Sequence, residues 1–245
     1  MEESALQCGV HLPYNEAAAA AMQHSGEKPT AVHNNCSGKH AGILALCKLI
    51  GADTATYMEP NNPAQQRILA LCARLSDDDP ATWPLGVDGC GIPVYATPLR
   101  NAALSFARFA SVGDSANTAG VSQEDAAALR IVRDAMIAYP EYVSGTGEFD
   151  AALMRVGNGN IACKVGAEGV HGVAAIAQGI GYVSKVIDGA SRGRGPSTVE
   201  ALSELGVLDE AQVRELAPFG HPVVTNRAGR IVGETRARSL APVHK

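Results

Sequence analysis

The chain has 245 residues, 46% of them hydrophobic and 18% charged, with a formal net charge of −5. This is enough apolar material for one large domain or two small ones, and the acidic balance argues against a general nucleic-acid binder. No stretch approaches the ~18 consecutive apolar residues that span a bilayer, and the acidic opening Met1-Glu2-Glu3-Ser4 is not a secretory signal, so a cytoplasmic location without a membrane partner is expected. Asn15 caps an alanine-rich helix over 16–23 that ends near Gly26. The apolar spacing of Ile43, Leu44, Leu46, Cys47 and Ile50 predicts a helix over 37–50, stopped by Gly51. Asn62-Pro63 opens another through Leu75, with Ile68, Leu69, Leu71 and Cys72 on its apolar side. Residues 83–95 are rich in Gly and Pro and read as a loop with a short strand. Amphipathic helices follow over 101–112 and 122–138, the second with Ser122, Glu124 and Asp125 at its start.

The pattern changes after Gly145. A short helix over 149–156 precedes strands over 161–165, 170–177 and 182–186, separated by Gly-rich turns. The run Ser191-Arg192-Gly193-Arg194-Gly195 reads as a solvated loop. Helices over 196–205 and 209–216 and a hairpin across Arg227-Ala228-Gly229 complete the chain. The expected plan is α+β: a helical part plus an antiparallel sheet flanked by helices, in one domain spanning 1–245.

Of the six cysteines, Cys47 and Cys72 lie in apolar helical patterns and read as buried free thiols. Cys36 and Cys90 sit instead among glycines and polar residues. Cys36 and Lys39 share one side of a helix start, where the helix dipole and an ammonium both favour a thiolate. His40 adds a titratable ring, and Gly38 permits close approach of a ligand to the backbone. Gly86-Val87-Asp88-Gly89-Cys90-Gly91-Ile92-Pro93 makes a poor core segment and suits a loop that passes close to a ligand. If the fold joins Cys36 to Cys90, two thiolates could hold a borderline metal such as zinc. A lysine as third ligand must first lose its proton. Ser144-Gly145-Thr146-Gly147 suits either a carboxylate pocket or a helix cap. Lys164, on an otherwise apolar strand, suits either a desolvated general base or an edge-strand lysine reaching for water.

Four segments occur in order. They are Asn34-Asn35-Cys36-Ser37-Gly38-Lys39-His40-Ala41-Gly42, the Gly86–Pro93 loop, Gly145-Thr146-Gly147-x-Phe149-Asp150 with Leu153-Met154, and Lys164-x-Gly166-Ala167-Glu168-Gly169-Val170. With the opening Gln7-Cys8-Gly9-x-x-Leu12-Pro13, the series closely resembles the rhizobial-type (thermolabile, type II) L-asparaginases over nearly the whole chain. The resemblance implies a serine β-lactamase-like fold, a homodimer, and hydrolysis of L-asparagine to L-aspartate and ammonia. It implies zinc held by Cys36, Lys39 and Cys90, a catalytic role for Lys164, and His40 and Asp88 in the surrounding shell. The family's Arg-Ser-x-x-Lys and Ala-Ser-His-Ser-Gly segments do not occur in these residues, and Ser37-Gly38-Lys39 is one residue short of Ser-x-x-Lys. The resemblance therefore implies a chain that starts inside the family's length, lacks the serine nucleophile and has little activity alone. Two other readings stay open: a hydrolase using Cys36 as nucleophile, assisted by Lys39 or His40, and a non-catalytic, zinc-binding remnant.

Overall fold

The computed structural model describes residues 2–113 and 120–238. They divide into two compact units, Met1–Arg74 with Asp78–Thr97, and Leu75–Asp77 with Pro98–Lys245.

The first unit carries helices α1 (Glu16–Ser25), α2 (Ser37–Ile50) and α3 (Pro63–Ser76) and a hairpin of β1 (Leu85–Val87) and β2 (Pro93–Tyr95). The Asn15 side chain accepts from the Ala18 N–H and starts α1. The α2 stripe Ile43, Leu44 and Cys47 buries against Tyr57, Ala64, Cys8, Cys90 and Ile92. Of α3, Ala64 and Ile68 near its start join this core. The apolar spacing continues along the helix beyond that contact, which is why Cys72 is exposed and not the buried thiol its pattern suggests.

The second unit is built on an antiparallel sheet in the order β3 (Ile161–Val165), β4 (Val170–Ala175), β5 (Ile180–Lys185). Register pairs Cys163 with Val173 and Val173 with Tyr182. One face meets α4 (Leu99–Ser111) and α5 (Gln123–Ala138); Phe106, Phe109, Ala110 and Ile137 cover Ala162 and Ala174. Gly181 is required here, because a Cβ on it would stand 2.0 Å from the Ala103 carbonyl oxygen of α4. On the other face α7 (Phe149–Val156) and α8 (Arg194–Glu204) bring Phe149, Leu153, Met154, Val199 and Leu202 onto Ile161, Cys163, Val173 and Ala175. Each fully buried side chain of this size contributes about 1.5–3 kcal/mol. Short helices α6 (Pro140–Ser144), α9 (Glu210–Glu215) and α10 (Ala217–Gly220) and the exposed hairpin of β6 (Val223–Thr225) and β7 (Ile231–Glu234) complete the described chain.

The architecture is α+β, as the sequence indicates. Three local readings change. β4 stops at Ala175, and β5 starts at Ile180. The basic run 191–195 is no loop: Ser191–Gly193 forms a 3-10 turn, and α8 begins at Arg194. The short helices α6 and α10 were missed, because each carries Pro within its first two positions and reads locally as a break. No helix among the described residues is long and apolar enough to cross a membrane.

Candidate active site

In the first unit, Asn34 sets the approach to α2. Its side-chain amide donates to the Cys8 carbonyl at 2.7 Å, and its side-chain oxygen accepts the Cys36 N–H at 2.8 Å. Cys36 then stands at the N-cap of α2 with its thiol uninvolved in capping. The second arm is the tip of the β1–β2 hairpin. Gly91, at φ +90°, turns the chain so that its N–H meets the Asp88 carbonyl at 2.8 Å, while the Asp88 N–H meets the Ile92 carbonyl at 2.9 Å. The tip brings Asp88 and Cys90 to the start of α2.

There the ligand atoms of Cys36, Asp88 and Cys90 all lie within 4.8 Å of one another. Lys39 Nζ donates to Asp88 Oδ2 at 2.7 Å, and the Cys90 thiol lies 3.6 Å from the same oxygen. Lys39 holds the Asp88 carboxyl below the usual carboxylate range against the opposing effect of burial. Burial pulls Lys39 down, but its bonds to Asp88 and Cys90 and the charges of Cys36 and Cys90 leave it above its ordinary value. Burial, with the neighbouring Cys90 and Asp88, raises the Cys36 thiol despite the Lys39 ammonium. The thiolate that the helix start favours is thus outweighed, and in this arrangement Cys36 carries its proton. No protein atom would meet a Cβ on Gly38, so the chain's own packing does not demand glycine there.

His40 is fully buried one turn into α2, with Nδ1 2.6 Å from the Tyr57 hydroxyl. Burial, aided by the Lys39 charge, lowers its pKa. Tyr57 was not among the sequence candidates. It lies outside every motif, and only folding brings it to His40.

Lys164 belongs to the second unit, on β3 at one edge of the described sheet. It is exposed, and its Nζ donates to the Val165 carbonyl at 2.8 Å. Ser144 Oγ accepts the Ala151 N–H at 3.1 Å, so this hydroxyl is engaged with the start of α7, as a helix-capping role requires.

A second cluster escaped sequence reasoning. Asp150, Cys163 and His171 gather their ligand atoms within 4.8 Å in the core of the second unit. His171 Nδ1 lies 2.9 Å from Thr198 Oγ1, its Nε2 lies 3.2 Å from Asp150 Oδ1, and Asp150 Oδ2 accepts the Val165 N–H at 2.6 Å. Burial pushes the Asp150 carboxyl up, but His171, the Val165 N–H and Lys164 together hold it below its ordinary value. Acid, imidazole and hydroxyl in series have the makings of a hydrolytic triad. All three are sealed in the core, so no substrate reaches Thr198. A signal for His171 was available: on β4 it alternates in phase with Val173 and Ala175, on the core side.

One Ser-x-x-Lys spacing does occur, Ser25 to Lys28. Ser25 ends α1 with its hydroxyl on the Met22 carbonyl, and Gly26 turns left-handed. The pair therefore does not share a helix face.

Residues 1–237 match the family model described as L-asparaginase II. The class is an asparaginase-type amidohydrolase. More narrowly, the chain belongs to the L-asparaginase II family, the rhizobial type that its motifs resemble. No curated protein sequence matches the chain.

Proposed function

We propose that this chain binds L-asparagine beside a zinc ion held by Cys36, Lys39 and Cys90, as part of the machinery that releases aspartate and ammonia. One observation carries the reading: two sulfurs and a carboxylate from segments some 50 residues apart in sequence converge within 4.8 Å. The donor set fits. Zinc–thiolate bonds of about 2.3 Å in a tetrahedral site separate two sulfurs by roughly 4 Å. The ion would supply a fixed positive charge next to a substrate carboxylate or carbonyl.

The chain's own residues set the conditions. Cys36 must lose its proton to serve as a ligand, and Lys39 must lose both its proton and its bond to Asp88. Asp88 then remains as a half-buried acceptor that orients Lys39 or takes a place beside it. The family resemblance separately gives Lys164 a catalytic role, and it brings a serine β-lactamase-like fold and a homodimer as the assembly. Cys36 as nucleophile is disfavoured, because its thiol is raised and not lowered.

These 245 residues contain neither Arg-Ser-x-x-Lys nor Ala-Ser-His-Ser-Gly. The polypeptide by itself should hydrolyse asparagine at least about a thousandfold more slowly than a family enzyme that has both. Metal analysis and ammonia release on the purified chain test both parts. About one zinc per chain, lost in Cys90→Ala, with little ammonia released, is the expected result. A metal-free chain that takes up no added zinc contradicts the zinc centre, and family-like turnover contradicts the expected inactivity.

A further inference from the structure

His40 and Tyr57 are both fully buried, and their rings meet edge-on at 84°. Tyr57 Oη lies 2.6 Å from His40 Nδ1 and also accepts the backbone N–H of Gln7 at 2.8 Å. A phenol has one hydrogen to donate. With Gln7 donating to the oxygen, the partner in line for that hydrogen is Nδ1. An imidazole nitrogen that accepts this hydrogen carries none of its own. A neutral imidazole that accepts at Nδ1 carries its hydrogen on Nε2. That nitrogen is buried and has no hydrogen-bond partner among the described residues. His40 directly follows Lys39, and its backbone N–H meets the Cys36 carbonyl at 3.0 Å, so the ring belongs to the same helix turn as the cysteine centre.

We infer that Tyr57 is a positioning residue of the cysteine centre: its hydroxyl fixes His40 as the Nε2–H tautomer, making His40 a hydrogen donor to an acceptor and not a further metal ligand. The acceptor is of one chemical class, an oxygen or thiolate carrying negative charge or a lone pair. Metal ligation through Nε2 would require the hydrogen to move to Nδ1. The Tyr57 oxygen would then face two N–H donors, and its own hydrogen would need another acceptor in an apolar core. His40 stands in the first turn of α2 but outside the Cys36–Asp88–Cys90 group. The inference rests on the reading of that group as a zinc centre.

Two-bond proton–nitrogen correlation spectra of the 15N-labelled chain report the tautomer, with the His40 signals assigned by their loss in His40→Gln. The Nε2–H pattern is expected before and after zinc is added. Tyr57→Phe should give a mixture of tautomers and weaken zinc binding about tenfold, the scale of a lost outer-shell partner. An Nδ1–H pattern in the wild-type chain overturns the inference, even if Tyr57→Phe does not fold. So does an unchanged tautomer in a folded Tyr57→Phe. If the wild-type chain takes up no zinc, the metal reading fails; if it does and Tyr57→Phe binds zinc equally well, the positioning role alone fails.

Discussion

Two clusters of potential metal-ligating side chains stand in the two units of this chain, one in each. Cys36, Asp88 and Cys90 lie partly open at a helix start, and Asp150, Cys163 and His171 lie sealed between a sheet and its helices, each set within 4.8 Å. Convergence of ligating atoms therefore does not separate a site from a structural network. Access does. Asp150 is committed to the Val165 N–H and to His171, and His171 to Thr198. The open cluster holds an ammonium–carboxylate pair and two thiols at the start of a helix, within reach of solvent.

The largest expected contrast is in stability. Asp150→Ala strands a buried imidazole and a strand N–H and should cost about 3–5 kcal/mol. Asp88→Ala breaks a partly exposed pair and should cost no more than about 1 kcal/mol. Urea unfolding of the two variants measures both, and equal losses would erase the distinction. Metal binding should invert the order. Cys90→Ala should weaken zinc binding by more than about 100-fold, above the cost of an outer-shell change, whereas Cys163→Ala should leave it unaltered in a chelator competition.

How far these contrasts were legible in the sequence depends on the range of the interaction. The bounds of α2 and α7 and of strand β3 follow from local apolar period and capping, and the sequence places them at the observed residues. The pairing of Lys39 with Asp88 spans 49 positions, and no local rule reaches it; only the chemistry of the two loops suggested that they meet. His40 was visible beside Lys39, but its partner Tyr57 was not. Cys72 shows the converse error, since its spacing is apolar but the folded chain leaves it exposed. Asp150 lay within a quoted motif, yet its role came from β4 and α8, which contribute His171 and Thr198.

Reactivity sharpens the same contrast on a smaller scale. Iodoacetamide should modify exposed Cys72 regardless of metal and leave buried Cys163, whose thiol burial pushes well above its ordinary value, untouched in the folded chain. Cys36 should react slowly and become about tenfold slower with zinc present. Site-resolved mass spectrometry reads all three, and a Cys163 that reacts like Cys36 would argue against the sealed core.

The smallest effect is on acid sensitivity. The Asp150 carboxyl sits below its ordinary 3.8 in the folded chain. Its contribution is therefore present above about pH 4 and is lost as pH falls through the lower, folded value. Unfolding free energies from pH 5 downward should fall less steeply in Asp150→Asn than in the wild type. An identical slope would mean that Asp150 is not held in its charged form.

The central claim is that Cys36 and Cys90 hold one metal ion together. Cobalt(II) in place of zinc tests it most directly, because thiolate ligation to cobalt gives a near-ultraviolet charge-transfer band and tetrahedral geometry gives strong visible bands. Both should appear on titrating the wild-type chain to one equivalent, persist in Cys163→Ala, and vanish in Cys36→Ala and in Cys90→Ala. Bands that survive loss of either cysteine, or that never form, would contradict the assignment.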